Sequence, residues 1–326
     1  MEQSVTNFFK TIFLYSIRFI LPYLPLKALY IIGNLSGYIL IGKKKQIIKN
    51  DLRSLMGDLS KHDLDIILRH TMQNFRKDLF EIWTFPKLNQ NKINKISYFV
   101  GFEHLQNALD KGKGAVLCIT HFGSWKIILP ALGYNGYKVH QIAANPLTFE
   151  KDTEVSSHNI IMKLELESES SLPVKFIYLD EGKSIRQIYR VLANNEVVVI
   201  SLDGIIGGKR MAMPFLNSTL LLSTGGASLS LSTESPSLPV FIVRQKDNKH
   251  KIIIHEPVAD LYNGFNKQAF IDTWMKNYTR LFERYVQDYP DHYARYLYTI
   301  RKYPLPEVGY VLKPNNTDTK KEFISL

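Results

Sequence analysis

The run Ala115-Val116-Leu117-Cys118-Ile119 is apolar at every position and stops at Thr120 and His121. A strand with one wet face alternates apolar and polar residues. An unbroken apolar run of this length fits a strand covered on both faces, as in the middle of a parallel sheet. Gly123 and Ser124 follow, and residues 125–132 read as a helix with Ser124 as its N-cap. A strand, a tight turn and a helix in that order put the turn at the carboxyl end of the strand. Ligands and reacting groups in open α/β sheets collect there. His121 stands at that point, and a neutral imidazole takes a proton from an alcohol near neutral pH.

The rest of the chain extends the same pattern. Strands are predicted at 98–100, 138–143, 175–178, 197–201, 238–244 and 251–255. Helices are predicted at 44–57, 61–84, 103–110, 154–165, 182–193, 224–231 and 266–287, with Ser60 capping the second. The alternation argues for an α/β fold with a mostly parallel central sheet flanked by helices. The last two strands, joined by Lys246-Asp247-Asn248-Lys249, read as an antiparallel hairpin.

Residues 8–41 are apolar and aromatic, interrupted by Lys10, Arg18 and Lys27 and broken by Pro22 and Pro25. The longest uncharged piece, 28–42, falls short of the roughly 20 residues a clean span needs. Lys43, Lys44, Lys45, Lys49 and Arg53 follow. Apolar helices with spaced cations and a basic flank fit an interfacial membrane anchor on an anionic leaflet. The expected organisation is a membrane-anchoring helical segment over 1–45, an α/β domain over 46–312 and a polar tail over 313–326.

A formal charge of +11 favours anionic partners such as anionic lipid or an acidic carrier protein. No nucleic-acid motif accompanies the basic clusters, so nucleic acid is not an expected partner. The single cysteine, Cys118, lies in the apolar strand, which excludes an internal disulfide and suits an inert core thiol. His104, His140 and His158 show no ligand spacing, so no metal is expected.

Two later blocks carry polar chemistry. Asp203 lies just past the strand at 197–201, and Gly204, Gly207 and Gly208 lead to Lys209 and Arg210. A flexible loop with two cations suits a phosphate, and a solvated basic turn is the competing reading. Thr224-Gly225-Gly226-Ala227 opens a helix with small residues, whose backbone N–H groups can approach an anionic oxygen or serve only capping and packing.

With these blocks in order the chain resembles the bacterial lipid A late acyltransferases, within the lysophospholipid acyltransferase superfamily. The matching segments are Gly101-Phe102-Glu103-His104-Leu105, Lys111-Gly112-Lys113-Gly114 and His121-Phe122-Gly123-Ser124-Trp125-Lys126. Asp203, Gly207-Gly208, Pro214-Phe215-Leu216-Asn217 and Thr224-Gly225-Gly226-Ala227 follow, with Asn50-Asp51-Leu52 near the start. The resemblance implies transfer of an acyl group from a carrier-protein or coenzyme A thioester to a hydroxyl of a glycolipid such as lipid A or its precursor. It implies His121 as general base, no cofactor, and a place on the cytoplasmic face of a bacterial inner membrane. The alternatives are a non-catalytic member that binds lipid or carrier protein, and a glycyl-like aminoacyl transferase. The catalytic candidates are His121, Lys126 and Asp203, and the substrate-binding candidates are Ser124, Lys209, Arg210, Thr224 and Gly225.

Two departures stand out. The family pattern places Glu or Asp five residues after the histidine, where this chain has Lys126. An ammonium cannot accept the imidazole's hydrogen bond, so Lys126 does not inherit the acid's role. The segment Arg295-Tyr296-Leu297-Tyr298-Thr299-Ile300-Arg301-Lys302 lacks the Trp and His that the pattern carries there. Where the family has an arginine after Asn145-Pro146-Leu147, the chain later offers Glu165, Glu167 and Glu169. Lys126 paired with one of these glutamates is one reading, and a solvated acidic helix face is the other.

Overall fold

The computed structural model describes residues 12, 14–36, 42–144, 157–179, 184–204, 208–260, 266–300 and 311–314. The apolar run becomes β2 (Ala115–Ile119), buried at all five positions. It lies inside a seven-stranded sheet of order β1-β9-β8-β2-β5-β3-β4. The partners are β1 (Ser97–Val100), β3 (Val139–Ala143), β4 (Val174–Tyr178), β5 (Val197–Ser201), β8 (Ser237–Arg244) and β9 (His250–Ile254). Every neighbouring pair is parallel except the hairpin of β8 and β9, which is antiparallel. The predicted sheet and hairpin are both present.

β2 divides the core. Val116 and Cys118 face one apolar cluster, which includes Phe241, Trp274 and Tyr278. Ala115, Leu117 and Ile119 face the other, with Trp83, Phe85 and Leu132. Alternate side chains of a strand point to opposite faces, so a strand apolar at every position serves both. Cys118 is fully buried, and burial pushes its thiol pKa well up, as expected for an inert core residue.

The amino-terminal half supplies α1 (Leu26–Ser36), α2 (Gly42–Met56) and α3 (Lys61–Trp83). Ser60 caps α3 as predicted, its hydroxyl accepting from the Asp63 N–H at 3.1 Å. α1 packs on α3: Leu29 is fully buried and the Tyr30 hydroxyl donates to Glu81 at 2.7 Å. Among the described residues, no helix is long and apolar enough to cross a membrane. Residues 1–11, 13 and 37–41 of the expected anchor lie outside the described residues. Of the basic cluster, Lys45 and Lys49 ion-pair with Asp65.

A second sheet, not predicted from the sequence, lies beside the first. β6 (Arg210–Phe215), β7 (Ser218–Ser223) and β10 (Leu312–Pro314) form an antiparallel sheet of order β10-β7-β6. The expected flexible loop runs to Lys209 and Arg210, and no strand is predicted between 202 and 237. Instead, strands 210–215 and 218–223 pair directly across Leu216 and Asn217. Leu216 takes a positive φ of 51°, unusual for a branched side chain. Its N–H is held by Glu283 at 2.7 Å. That partner is remote in sequence, so the turn was not legible locally.

Candidate active site

β2 and β5 are parallel neighbours, with Ile119 opposite Ser201. Two residues beyond each lie His121 and Asp203, so the register brings them side by side at the carboxyl edge of the sheet. His121 Nδ1 is 2.8 Å from Asp203 Oδ1. The His121 backbone N–H also donates to Asp203 Oδ2 at 3.0 Å. Asp203 is fully buried, while the His121 side chain keeps 24% of its surface exposed. A buried carboxylate accepts, so Nδ1 carries the proton and Nε2 stays free as the basic nitrogen. Ser201 Oγ adds a donor to Asp203 Oδ1 at 3.2 Å.

A short helix, α11 (Ala294–Ile300), closes over this pair. The Tyr296 ring stacks on the His121 ring at 4.2 Å with 2° between planes, and its hydroxyl donates to the Asp203 carbonyl at 2.7 Å. Tyr293, just before it, donates to Asp203 Oδ2 at 3.3 Å. Trp125 meets the His121 ring edge-on at 5.0 Å. The imidazole is thus held on two sides and at Nδ1.

His121 opens onto a cavity of about 630 Å³. Its wall is mainly apolar, with Phe75, Ile142, Ile161, Met162, Phe176 and Leu229 among the lining residues. That volume and character match small-molecule sites in general.

Lys126 lines the same cavity but faces away from the role of acid. Its ammonium donates to Glu165 at 2.7 Å and pairs with Glu169. Both carboxylates come from α7 (Ser157–Glu169). Burial works to lower the Lys126 pKa, but the two carboxylates outweigh it and raise it. Of the two readings of this acidic segment, pairing is the one observed. Glu167 instead meets Arg18 at 3.6 Å.

Ser124 is not a side-chain cap, and helical geometry begins with a 3-10 turn at Trp125–Ile127. Its hydroxyl donates to Asp78 and accepts from Arg244 Nη2 at 3.1 Å. Arg244 is fixed in turn by Glu81 at 2.8 Å through both nitrogens. A polar network of α3 and β8 therefore claims the serine. Its partners are far apart in sequence, which hid it from the local capping argument.

Three of the substrate-binding candidates, Arg210, Thr224 and Gly225, have partners inside the fold. Arg210 begins β6, and its guanidinium donates to the carbonyls of Gly204 and Leu221, which braces the loop from inside. The Thr224 N–H donates to the Lys209 carbonyl at 3.0 Å, and the Gly225 N–H to Ser223 Oγ at 3.1 Å. Neither N–H is left for a ligand. Lys209 itself is exposed. Gly225 and Gly226 open α9 (Gly225–Thr233), and Gly226 is required by packing: a Cβ there would lie 2.5 Å from Cys118 Sγ.

The sequence profile of the bacterial lipid A biosynthesis acyltransferases matches residues 2–297. The chain belongs to that family. A second similarity is to a phosphatidylinositol mannoside acyltransferase of Mycolicibacterium smegmatis (strain ATCC 700084 / mc(2)155), 21% identical over 197 residues. That match spans 59% of this chain and 61% of the relative. In this member of the lipid A biosynthesis acyltransferase family the carboxylate beside the histidine comes from position 203, not 126. Sequence reasoning named Asp203 without giving it a partner. It missed Ser201, Tyr293, Tyr296, Asp78 and Arg244. The only available signal was the Tyr293 and Tyr296 spacing, which fits one helix face.

Proposed function

We propose that the protein transfers an acyl group from a carrier-protein or coenzyme A thioester to a hydroxyl of a membrane glycolipid, such as lipid A or its precursor. His121 Nε2 takes the proton of the acceptor hydroxyl. The oxygen attacks the thioester carbonyl, and the tetrahedral intermediate collapses with loss of the thiolate, which takes the proton back from His121 Nε2. Asp203 holds Nδ1–H and stabilises the imidazolium that forms, the role a buried carboxylate plays beside a catalytic histidine. The single observation that carries this reading is the braced His121 facing a largely apolar cavity of about 630 Å³. That cavity suits the hydrocarbon part of an acyl group.

The membrane belongs to the proposal as well, on the cytoplasmic side of a bacterial inner membrane. Phe19, Ile20, Tyr23, Ile31, Ile32 and Leu35 are exposed on the amino-terminal helices. An apolar patch of this kind needs a cover, and insertion at the level of the headgroups supplies one. The charge of +11 suits both an anionic leaflet and an acidic carrier.

The test is acyl transfer by the detergent-solubilised protein, with acyl carrier protein thioesters and a lipid A precursor, read by mass spectrometry. A product heavier by one acyl chain, lost with His121→Ala, is expected. Product formation unaffected by His121→Ala would overturn the reading.

A further inference from the structure

A second, polar pocket of about 210 Å³ adjoins the apolar cavity. Asn74, Asp291 and His292 line both, so the two share a wall. Lys77, Lys246 and Arg244 line the polar one as well. The Arg244 charge is taken up by Glu81 and Asp78. Asp291 accepts from Asn74 at 2.7 Å and pairs with His292 at 3.2 Å.

Lys77 is different. It is only 7% exposed, and its ammonium donates to Asn248 Oδ1, a neutral partner, at 2.8 Å. An ammonium has three N–H groups to place. Among the described residues no carboxylate lies within ion-pair distance of it. Burial, and then the Arg244 charge, bring its pKa down to about 8, with Glu81 and Asp78 offsetting only part. A buried cation whose charge is only partly offset is stabilised by an anion that reaches it. The exposed Lys246 adds a second positive charge at the rim.

We propose that this pocket binds a phosphate ester of the lipid acceptor, with Lys77 as its buried counter-ion and Lys246 at its rim. That the phosphate belongs to an acceptor rests on the acyl-transfer reading; that the pocket takes phosphate does not. The neighbouring helix favours a lipid headgroup over the phosphate of a pantetheine arm. α1 presses Gly33 against the Lys77 stem, where a Cβ would lie 2.8 Å from Lys77 Cγ. The Asn34 carbonyl accepts from Gln73, another lining residue, at 3.2 Å. The same helix leaves Ile31, Ile32 and Leu35 exposed. A lipid bound along that apolar edge carries its headgroup to the pocket while its hydroxyl lies toward the shared wall and the cavity of His121.

Inorganic phosphate, titrated calorimetrically into the full-length protein, tests the pocket without turnover. Wild type and His121→Ala are expected to bind alike. Lys77→Met is expected to bind about tenfold more weakly or worse, and Lys77→Arg to retain binding. Should Lys77→Met fail to fold, Lys246→Glu at the exposed rim is expected to weaken phosphate several-fold. Phosphate affinity equal in wild type, Lys77→Met and Lys246→Glu would overturn the site. Steady-state kinetics then separate the two sources. A raised KM for a phosphorylated glycolipid acceptor in Lys77→Met, with the KM for the thioester donor unchanged, supports the headgroup. The opposite pattern overturns that assignment. Loss of turnover in His121→Ala with phosphate binding intact keeps the pocket distinct from the chemistry.

Discussion

His121 and Asp203 are 82 residues apart in the chain and one hydrogen bond apart in the fold, with Nδ1 and Oδ1 at 2.8 Å. The strand register makes the pair, since each residue lies two positions past the paired Ile119 and Ser201. On the proposed mechanism, Asp203→Asn is expected to lower the rate of acyl transfer by about 10³ to 10⁴-fold, because it removes the charge that would hold the imidazole tautomer and stabilise an imidazolium. Single-turnover rates with a thioester donor measure this. A loss under about tenfold would remove Asp203 from the mechanism.

Tyr296 separates stacking from hydrogen bonding. Tyr296→Phe keeps the ring over His121 and loses only the bond to the Asp203 carbonyl. Its kcat is expected to fall by about tenfold, in line with one hydrogen bond. Tyr296→Leu loses the ring as well and is expected to fall further, with little change in the donor KM. Equal rates in the two variants would mean that stacking contributes nothing.

Lys126 supports the fold near the site. Lys126→Met removes the cation that pairs with Glu169, 9% exposed, and one of the partners of Glu165, 17% exposed. Chemical denaturation is expected to show a loss of about 3 kcal/mol. Adding Glu165→Gln and Glu169→Gln is expected to recover most of it. If the single variant is as stable as wild type, the triad is not holding α7 in place.

Glu81 gives a pH signature. Burial works to raise its pKa, but Arg244 and His250 outweigh that and hold it well below the ordinary 4.5. Its contribution is therefore present above pH 4.5 and lost as the pH falls toward the folded-state value. The stability gap between wild type and Glu81→Gln is expected to be widest near neutrality and to narrow below pH 4.5, read from urea midpoints. A gap constant from pH 7 to about 3 would contradict the ionised buried pair.

Gly226→Ala places a methyl 2.5 Å from Cys118 Sγ. Overpacking of this kind costs about 1–3 kcal/mol. The double variant Gly226→Ala with Cys118→Ala is expected to recover stability, and thermal melts of the three proteins decide it.

Local pattern carried a large share of this protein. The unbroken apolar run of β2 announced a strand covered on both faces, and the alternation of strands with helical periods gave the parallel sheet. Ser60 and the helix behind it were readable because capping and amphipathicity act over a few residues. His121 was readable because the end of such a strand is where chemistry concentrates.

Partnership was decided only in three dimensions. The sequence put a lysine where an acid was expected at 126; the fold supplied the acid from 203 and gave the lysine two carboxylates of its own. The 210–223 hairpin, the Ser124 network and the tyrosines over the imidazole likewise depend on contacts between remote segments. Side-chain periodicity reports which face of an element is buried. It carries no information about which distant residue will lie opposite, because sheet register and helix docking fix that only when the whole core packs.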